Sequence, residues 1–296
     1  MTSYLPKILL IGGSGQVGTA LRRHSFAQAW QVVSPSHAEL DITDLAAIER
    51  TILACSPEIV INVAAYTAVD KAEQETELCA RINYIGAYHV AHACKKHNLP
   101  CIHLSTDYIF SGTTTTPYHE EDNPKPINFY GESKWLGEMA IRNQCEKHII
   151  LRVSGIFSEH GNNFFKTILR LAKEKKEIYV VSDQASCPTY ADDIAETIFT
   201  LAKQASAWGT YHYCSQPPIS WYQFALAIIA AAQKYGLALI VEKIHAIPTE
   251  TYTTPAKRPL YSALDCSKIK KDYGMMQPSW ETAIQQLMQR LTRNVI

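Results

Sequence analysis

A tyrosine and a lysine four residues apart, Tyr130 and Lys134, stand downstream of Ser105-Thr106-Asp107. On a helix the pair shares one face, one turn apart. An ordinary tyrosine, with a pKa of about 10, is a reluctant acid at neutral pH. A neighbouring ammonium stabilises the phenolate and is expected to pull that pKa down. The hydroxyl of Thr106 can help Tyr130 hold a carbonyl or alcohol oxygen. Such a set moves a proton while something else moves a hydride. Taken alone the spacing is weak, because a packed tyrosine ring beside a solvated lysine has the same interval.

The start of the chain adds weight. Lys7-Ile8-Leu9-Leu10-Ile11 is a short apolar run with the character of a buried parallel strand. Gly12, Gly15 and Gly18 follow at G-x-x-G-x-x-G spacing, ahead of a helical stretch through Arg22 and Arg23. Glycines between a first strand and a first helix let the chain turn tightly and bring its backbone against a pyrophosphate. The helix N-terminus then offers free N–H groups to that anion. The second strand reads as Trp30-Gln31-Val32-Val33 and is followed by Ser34-Pro35-Ser36-His37. Its tip carries no acid for a ribose 2′-hydroxyl and no arginine for a 2′-phosphate. Small hydroxyls at Ser34 and Ser36 tolerate a phosphate, which favours NADPH, with NADH as the alternative. Asp41 and Ile42 are placed to border the adenine, although a helix cap explains Asp41 or Asp44 equally well.

The remaining elements alternate. A helix is expected near Asp44–Cys55, a strand over Glu58–Val63, and one long helix from about Asp70 to His97 carrying Asn83. A strand at Cys101–Leu104 ends at Ser105-Thr106, and a Thr- and Pro-rich loop from Ser111 to Asn128 precedes the helix of Tyr130. Another strand lies at His148–Leu151. This pattern predicts an α/β fold, a Rossmann-like doubly wound parallel sheet with ligands beyond the carboxyl ends of its strands. The glycine loop and Ser105-Thr106 occupy such ends, so the two motifs point into one crevice. Beyond about Val153 the pattern loosens. Helices are expected near Asn163–Lys173 and Asp192–Ala202, a strand at Ile178–Val181, a helix opening at Ser220-Trp221, and a last helix from about Ser279. The expected division is a dinucleotide-binding domain of residues 1–153 plus about 188–213. A smaller C-terminal substrate-binding lobe of about 154–187 and 214–296 completes it.

Composition agrees with an enzyme of this kind. The chain has 296 residues, 47% of them hydrophobic, enough for a sizeable core. Lysine and arginine number 28 and aspartate and glutamate 28, without charged blocks, which argues against nucleic acid or an anionic membrane as partner. No apolar stretch is long enough to span a bilayer, and the N-terminal run is too short for a signal peptide. Eight scattered cysteines without C-x-x-C pairs point to no zinc site, no disulfide framework and a reducing cytoplasmic setting.

Read together, Gly12-x-x-Gly15-x-x-Gly18, Asn62-x-Ala64-Ala65, Asn83, Ser105-Thr106-Asp107 and Tyr130-x-x-x-Lys134 resemble the extended short-chain dehydrogenase/reductases. Within them the chain is most similar to the dTDP-4-dehydrorhamnose reductases. The stretches that carry this are Ala65–Glu73, Ser105–Phe110, Tyr130–Lys134, Gly161–Phe164 and Thr254–Pro259, which together span essentially the whole chain. The resemblance implies reduction of the C4 ketone of dTDP-4-dehydro-L-rhamnose to dTDP-L-rhamnose, by a monomer or homodimer. It places NAD(P)H over Gly12, Gly15, Gln16, Val17 and Gly18, lined by Ala64 and Ala65, with Lys134 at the nicotinamide ribose. Tyr130 would give the proton and Thr106 would hold the same oxygen. Asn163, Lys166 and Arg258 are the implied sugar or diphosphate contacts.

Two positions depart from the family pattern. Where its members often have Ser-Trp-Val-Tyr, this chain has Ser154-Gly155-Ile156-Phe157, so a tryptophan contact to the sugar is absent. Ala20 stands where some members place an acid for a magnesium-bridged dimer. Two other readings remain beside the leading one: a reductase of another nucleotide-linked 4-ketosugar, and a non-catalytic regulatory subunit that binds dinucleotide.

Overall fold

The computed structural model describes residues 5–204 and 206–293. In β1 (Lys7–Ile11), Ile8 and Leu10 pack on one face of a sheet while Leu9 and Ile11 pack on the other. Burial on both faces is what an interior parallel strand requires. After β1 come α1 (Gln16–Arg23), β2 (Gln31–Val33), α2 (Leu45–Cys55) and β3 (Ile59–Asn62). Next are α3 (Val69–Ala72), α4 (Thr76–Ala80), α5 (Ala87–Lys96), β4 (Cys101–Thr106), α6 (Phe129–Gln144) and β5 (His148–Val153). The last part holds β6 (Ile156–Phe157), α7 (Phe164–Glu174), β7 (Glu177–Val181), β8 (Ala185–Ser186), β9 (Thr189–Tyr190), α8 (Ala191–Gln204) and β10 (Gly209–His212). It ends with β11 (Ile219–Ser220), α9 (Trp221–Lys234), β12 (Lys243–Ile247), α10 (Ser267–Tyr273) and α11 (Trp280–Arg293).

Six strands form the central sheet in the order β10-β5-β4-β3-β1-β2, every pairing parallel. The chain leaves β1 towards β2 on one side and resumes at β3 on the other, so the topological switch point lies between β1 and β3. That is where open α/β sheets bind ligands. Gly12 turns there with φ +91°, and a Cβ on it would stand 2.4 Å from the Ala64 nitrogen at the end of β3. Only glycine fits that approach. A separate apolar cluster holds the last part together, with Phe157, Phe165, Ile168, Phe224, Ile228, Trp280 and Leu287 from α7, α9, α11 and their connections. This is the smaller C-terminal lobe. Among the described residues no helix is long and apolar enough to cross a membrane.

The sequence reads one helix from about Asp70 to His97, and here the structure differs. The chain breaks into α3, α4 and α5, with a π-helical turn over Arg81–Gly86 joining the last two. Asn83 lies within the widened turn and bonds outside the helix. Its Oδ1 accepts the Tyr66 N–H at 2.8 Å, and its Nδ2 donates to Tyr66 O at 3.1 Å and Ser133 Oγ at 2.9 Å. These bonds pin the Ala65–Tyr66 loop against α6. The sequence carries no strand signal for β12, which pairs in parallel with β7, because its half-exposed Lys-Ile-His-Ala-Ile lacks the apolar run that marks a buried strand.

Candidate active site

A cleft of about 490 Å³ opens at the switch point, within the usual range for ligand sites. Gly12, Gly15, Gln16, Val17 and Gly18 form its floor, and Ile42, Ala64, Ala65, Ser105, Tyr130 and Lys134 line its walls. No side chain caps α1, which leaves its first-turn N–H groups available to a pyrophosphate. A Cβ on Gly18 would stand 2.2 Å from Gly12 O, so the helix is drawn in against the turn. These features fit a dinucleotide laid across the loop.

Asp41 does not line the cleft. Its Oδ1 accepts the Thr43 N–H at 2.8 Å, and its neighbours Leu40 and Ile42 face the ligand space instead. Beside the glycine loop the structure places a cation that the strand tip alone does not reveal. The Ser34 hydroxyl and the Arg22 side chain flank the same point above Gly13. Ser34 Oγ is buried without a hydrogen-bond partner, and the Arg22 guanidinium makes only a long 3.5 Å bond to Gly13 O. Ser36, by contrast, is engaged: its N–H and hydroxyl both donate to Glu39 Oε2. Arg22 lies on α1, one helix away from the position where a cofactor-selecting residue is usually sought, and the turn at Gly13 sets it beside Ser34.

Tyr130 and Lys134 arise from the start of α6, whose N-cap Asn128 accepts the Gly131 N–H at 2.8 Å. The Tyr130 ring meets the Tyr108 ring edge-on at 6.0 Å. The expected tuning of Tyr130 by Lys134 is not what the structure contains. Burial raises the Tyr130 pKa, and a hydrogen bond with Thr106 opposes this only in part. Lys134 is itself buried, which lowers it to about 8. Its Nζ donates to Leu104 O at 2.6 Å and lies 3.4 Å from His103 Nε2. Desolvation is the largest influence on each, and it disfavours the charged form of both.

Thr106 Oγ1 donates to Asp107 Oδ1 at 3.1 Å and accepts the Tyr108 N–H at 3.1 Å. Asp107 Oδ2 accepts the hydroxyls of Ser154 at 2.8 Å and Ser262 at 2.5 Å. This joins the end of β4 to the end of β5 and to the C-terminal segment. Burial raises the Asp107 carboxyl to about 6 from its ordinary 3.8, against the pull of the three hydroxyls. An acid whose folded pKa is raised contributes stability at low pH that is lost as pH rises through the folded value. Relative to Asp107→Asn, the wild type is expected to lose about 2–3 kcal/mol between about pH 4 and about pH 7.5. Urea unfolding of both proteins at the two pH values checks this, and a constant difference would contradict it.

The implied sugar contacts are spread out. Asn163 caps α7 by accepting the Lys166 N–H at 3.0 Å, and its Nδ2 donates to Gln16 Oε1 at 2.8 Å. It thus ties the 158–163 loop to the glycine loop, and Gly161 and Asn162, not Asn163, line the cleft. The Lys166 side chain is exposed on the next turn. Arg258 pairs bidentately with Asp70 at 2.8 and 3.0 Å and also donates to Thr254 Oγ1 at 2.8 Å. Its fork is taken up in fastening the 254–259 segment to α3. Gly155 adopts φ +55°, and a Cβ there would stand 3.0 Å from Pro188 Cα. A tryptophan at this position would need a different backbone.

Sequence comparison agrees with the geometry. A family model described as RmlD substrate binding domain matches residues 6–293. A dTDP-4-dehydrorhamnose reductase of Escherichia coli strain K12 is 37% identical over 292 residues, covering 96% of this chain and 97% of that protein. One from Burkholderia thailandensis is 39% identical over 288 residues, covering 94% and 96%. Among solved structures, dTDP-4-dehydrorhamnose reductase from Bacillus anthracis in complex with NADP superposes with a TM-score of 0.91 at 34% identity, covering 97% of this chain and all of that one. With the cleft, the glycine loop and the Tyr130–Lys134 pair in one place, the chain belongs to the RmlD family, the dTDP-4-dehydrorhamnose reductases.

Proposed function

We propose that the protein reduces the C4 ketone of dTDP-4-dehydro-L-rhamnose to the hydroxyl of dTDP-L-rhamnose, using NADPH. The observation that carries this is the meeting of Thr106, Tyr130 and the glycine-loop cleft at the carboxyl ends of β1, β3 and β4. Bound NADPH would supply the hydride. The glycine loop and the start of α1 would hold its pyrophosphate, and Lys134 its nicotinamide ribose. Tyr130, kept as a phenol by burial, is poised to give its proton once the ketone oxygen takes on alkoxide character, because an alkoxide is far more basic than a phenolate. Thr106 would steady that oxygen. We assign dinucleotide binding to residues 1–153 with about 188–213, and the sugar to about 154–187 with 214–296. Asn163 and Arg258 would serve the sugar indirectly, by fixing the loops that surround it.

The test is loss of reduced-nicotinamide absorbance with dTDP-4-dehydro-L-rhamnose as substrate, with the sugar product identified. No turnover despite cofactor binding would move the weight to another nucleotide-linked 4-ketosugar or to a regulatory role. Cofactor choice has its own test. Arg22→Ala should weaken NADPH binding about tenfold and leave NADH nearly unchanged, because only the former carries a 2′-phosphate. Fluorescence titration with both nucleotides measures this, and equal weakening of the two would remove Arg22 from the role.

A further inference from the structure

The loop from Ser158 to Asn163 belongs to the C-terminal lobe, yet it comes down on the first turn of α1. The meeting point is the side chain of Gln16. Asn163 Oδ1 accepts the Lys166 N–H at 3.0 Å, so the other arm of its amide is the NH₂ group. That group lies 2.8 Å from one end of the Gln16 amide, and the Ser158 hydroxyl lies 3.0 Å from the same end. Only a carbonyl oxygen can accept from both, so Gln16 Oε1 is the atom held. The Asn163 NH₂ also faces Ser158 O at 2.8 Å and His160 O at 3.2 Å, which closes the loop on itself. Gly161 then lies against the stem of Gln16: a Cβ there would stand 3.1 Å from Gln16 Cγ, and its φ is +63°.

Held in this way, the loop sets Gly161 and Asn162 in the wall of the same cleft that the glycine loop floors. We propose that the side chain of Gln16 is a positioning residue that fastens the 158–163 loop as a clasp over the bound dinucleotide. The nucleotide then leaves only as fast as the clasp lifts. This role rests on the dinucleotide-binding part of the reductase reading. Other ties of the loop do not replace Gln16. Glu159 accepts the Tyr190 hydroxyl at 3.1 Å and Arg290 Nη1 at 3.3 Å, which anchors the loop to β9 and α11 of its own lobe. Arg23 Nη1 of α1 meets His160 Nε2 at 3.1 Å, but that contact is exposed and competes with water. Ser158 is 1% exposed, so the shielded tie to α1 runs through Gln16. A pyrophosphate at the start of α1 would lie between the glycine loop and this clasp, and its departure would require the Gln16 bonds to open.

Gln16→Met keeps the length of the side chain and removes its acceptor, and two readouts on the full chain follow the clasp. Amide hydrogen exchange of residues 158–163 without nucleotide should quicken about tenfold, the scale of one or two net hydrogen bonds. In stopped flow, NADPH and NADH should both leave about tenfold faster when displaced by excess NADP⁺. Gln16→Glu keeps an acceptor in the same place and should keep the loop exchange slow. Asn163→Ser retains a helix cap but is too short to reach Gln16, so it should match Gln16→Met in both readouts. Combining the two should add little, because each removes the same contact. Unchanged dissociation or unchanged loop exchange in Gln16→Met, or full additivity in the double variant, would overturn the proposal. A lowered unfolding temperature with unchanged dissociation would reduce Gln16 to a strut between the lobes and overturn it equally. A wild-type chain that binds neither nucleotide would overturn the clasp and the dinucleotide reading together. Loss of the dTDP-sugar assay alone, with nucleotide still bound, is a failure of the reductase reading and not of the clasp.

Discussion

Tyr130→Phe is expected to lower kcat by about 10²- to 10⁴-fold, the usual worth of a positioned proton donor, while NADPH still binds. The substitution removes one hydroxyl and keeps the ring that packs edge-on against Tyr108. Burial holds the phenol protonated well above neutral pH, so the wild type carries its transferable proton throughout the physiological range. Phenylalanine has none to give, and the nascent alkoxide must then take its proton from water, which is not held in place for the transfer. Stopped-flow reduction and a separate binding titration distinguish the two effects. Near-normal turnover with unchanged affinity would show that another group delivers the proton.

Much of the frame was legible in the chain because it rests on local rules. The apolar runs of β1, β3, β4 and β5 announce strands buried on both faces. Gly12 and Gly18 announce a turn too tight for a Cβ, and the structure has backbone atoms where those Cβ atoms would be. Tyr130 and Lys134 announce one helix face. What was not legible depends on burial. The sequence predicts that Lys134 lowers the Tyr130 pKa, a sound inference for two groups in water. Enclosing both reverses the outcome, because desolvation opposes the charged form of each.

The same limit applies to the contacts. Asn163 and Arg258 look like free polar groups in a string of residues, yet one caps α7 and braces Gln16 while the other is spent on Asp70. The cap was open to a closer reading, since asparagine just ahead of Phe164-Phe165 is a helix-start signal. The Arg258–Asp70 pair, formed between residues 188 apart in sequence, has no local signature. His103 and Asn62 are likewise single polar residues in apolar strands, and only the sheet register sets them side by side.

Glu138 and Arg152 are the most consequential of these hidden pairs, and Arg152→Ala is expected to destabilise the fold by about 3–5 kcal/mol. Four residues from both Lys134 and Arg142, Glu138 has the spacing of an ordinary surface ladder, yet it is fully buried. Arg152 grips it with two bonds of 2.8 and 2.9 Å, and Ser105 Oγ donates to it at 2.6 Å. The far side of the guanidinium reaches Glu120 O at 3.2 Å and His212 Nε2 at 3.1 Å. One charged pair therefore ties α6 to β4, β5 and β10, and holds Ser105 in the cleft wall beside Thr106. Removing the arginine leaves the carboxylate in the core with only Arg142 and a hydroxyl to oppose its charge. The unfolding temperature should fall by about 5–8 °C for a chain of this length if it unfolds as one unit. Glu138→Leu combined with Arg152→Leu should recover much of the lost stability, because no charge is then left buried. It should not restore catalysis to the same degree, since Ser105 loses its acceptor in both variants that lack Glu138. Calorimetry and kcat on the Arg152→Ala, Glu138→Leu and double variants separate the two roles. If the double variant is less stable than Arg152→Ala, the pair contributes more than its own desolvation takes away, and the network is a net source of stability instead of a means of alignment.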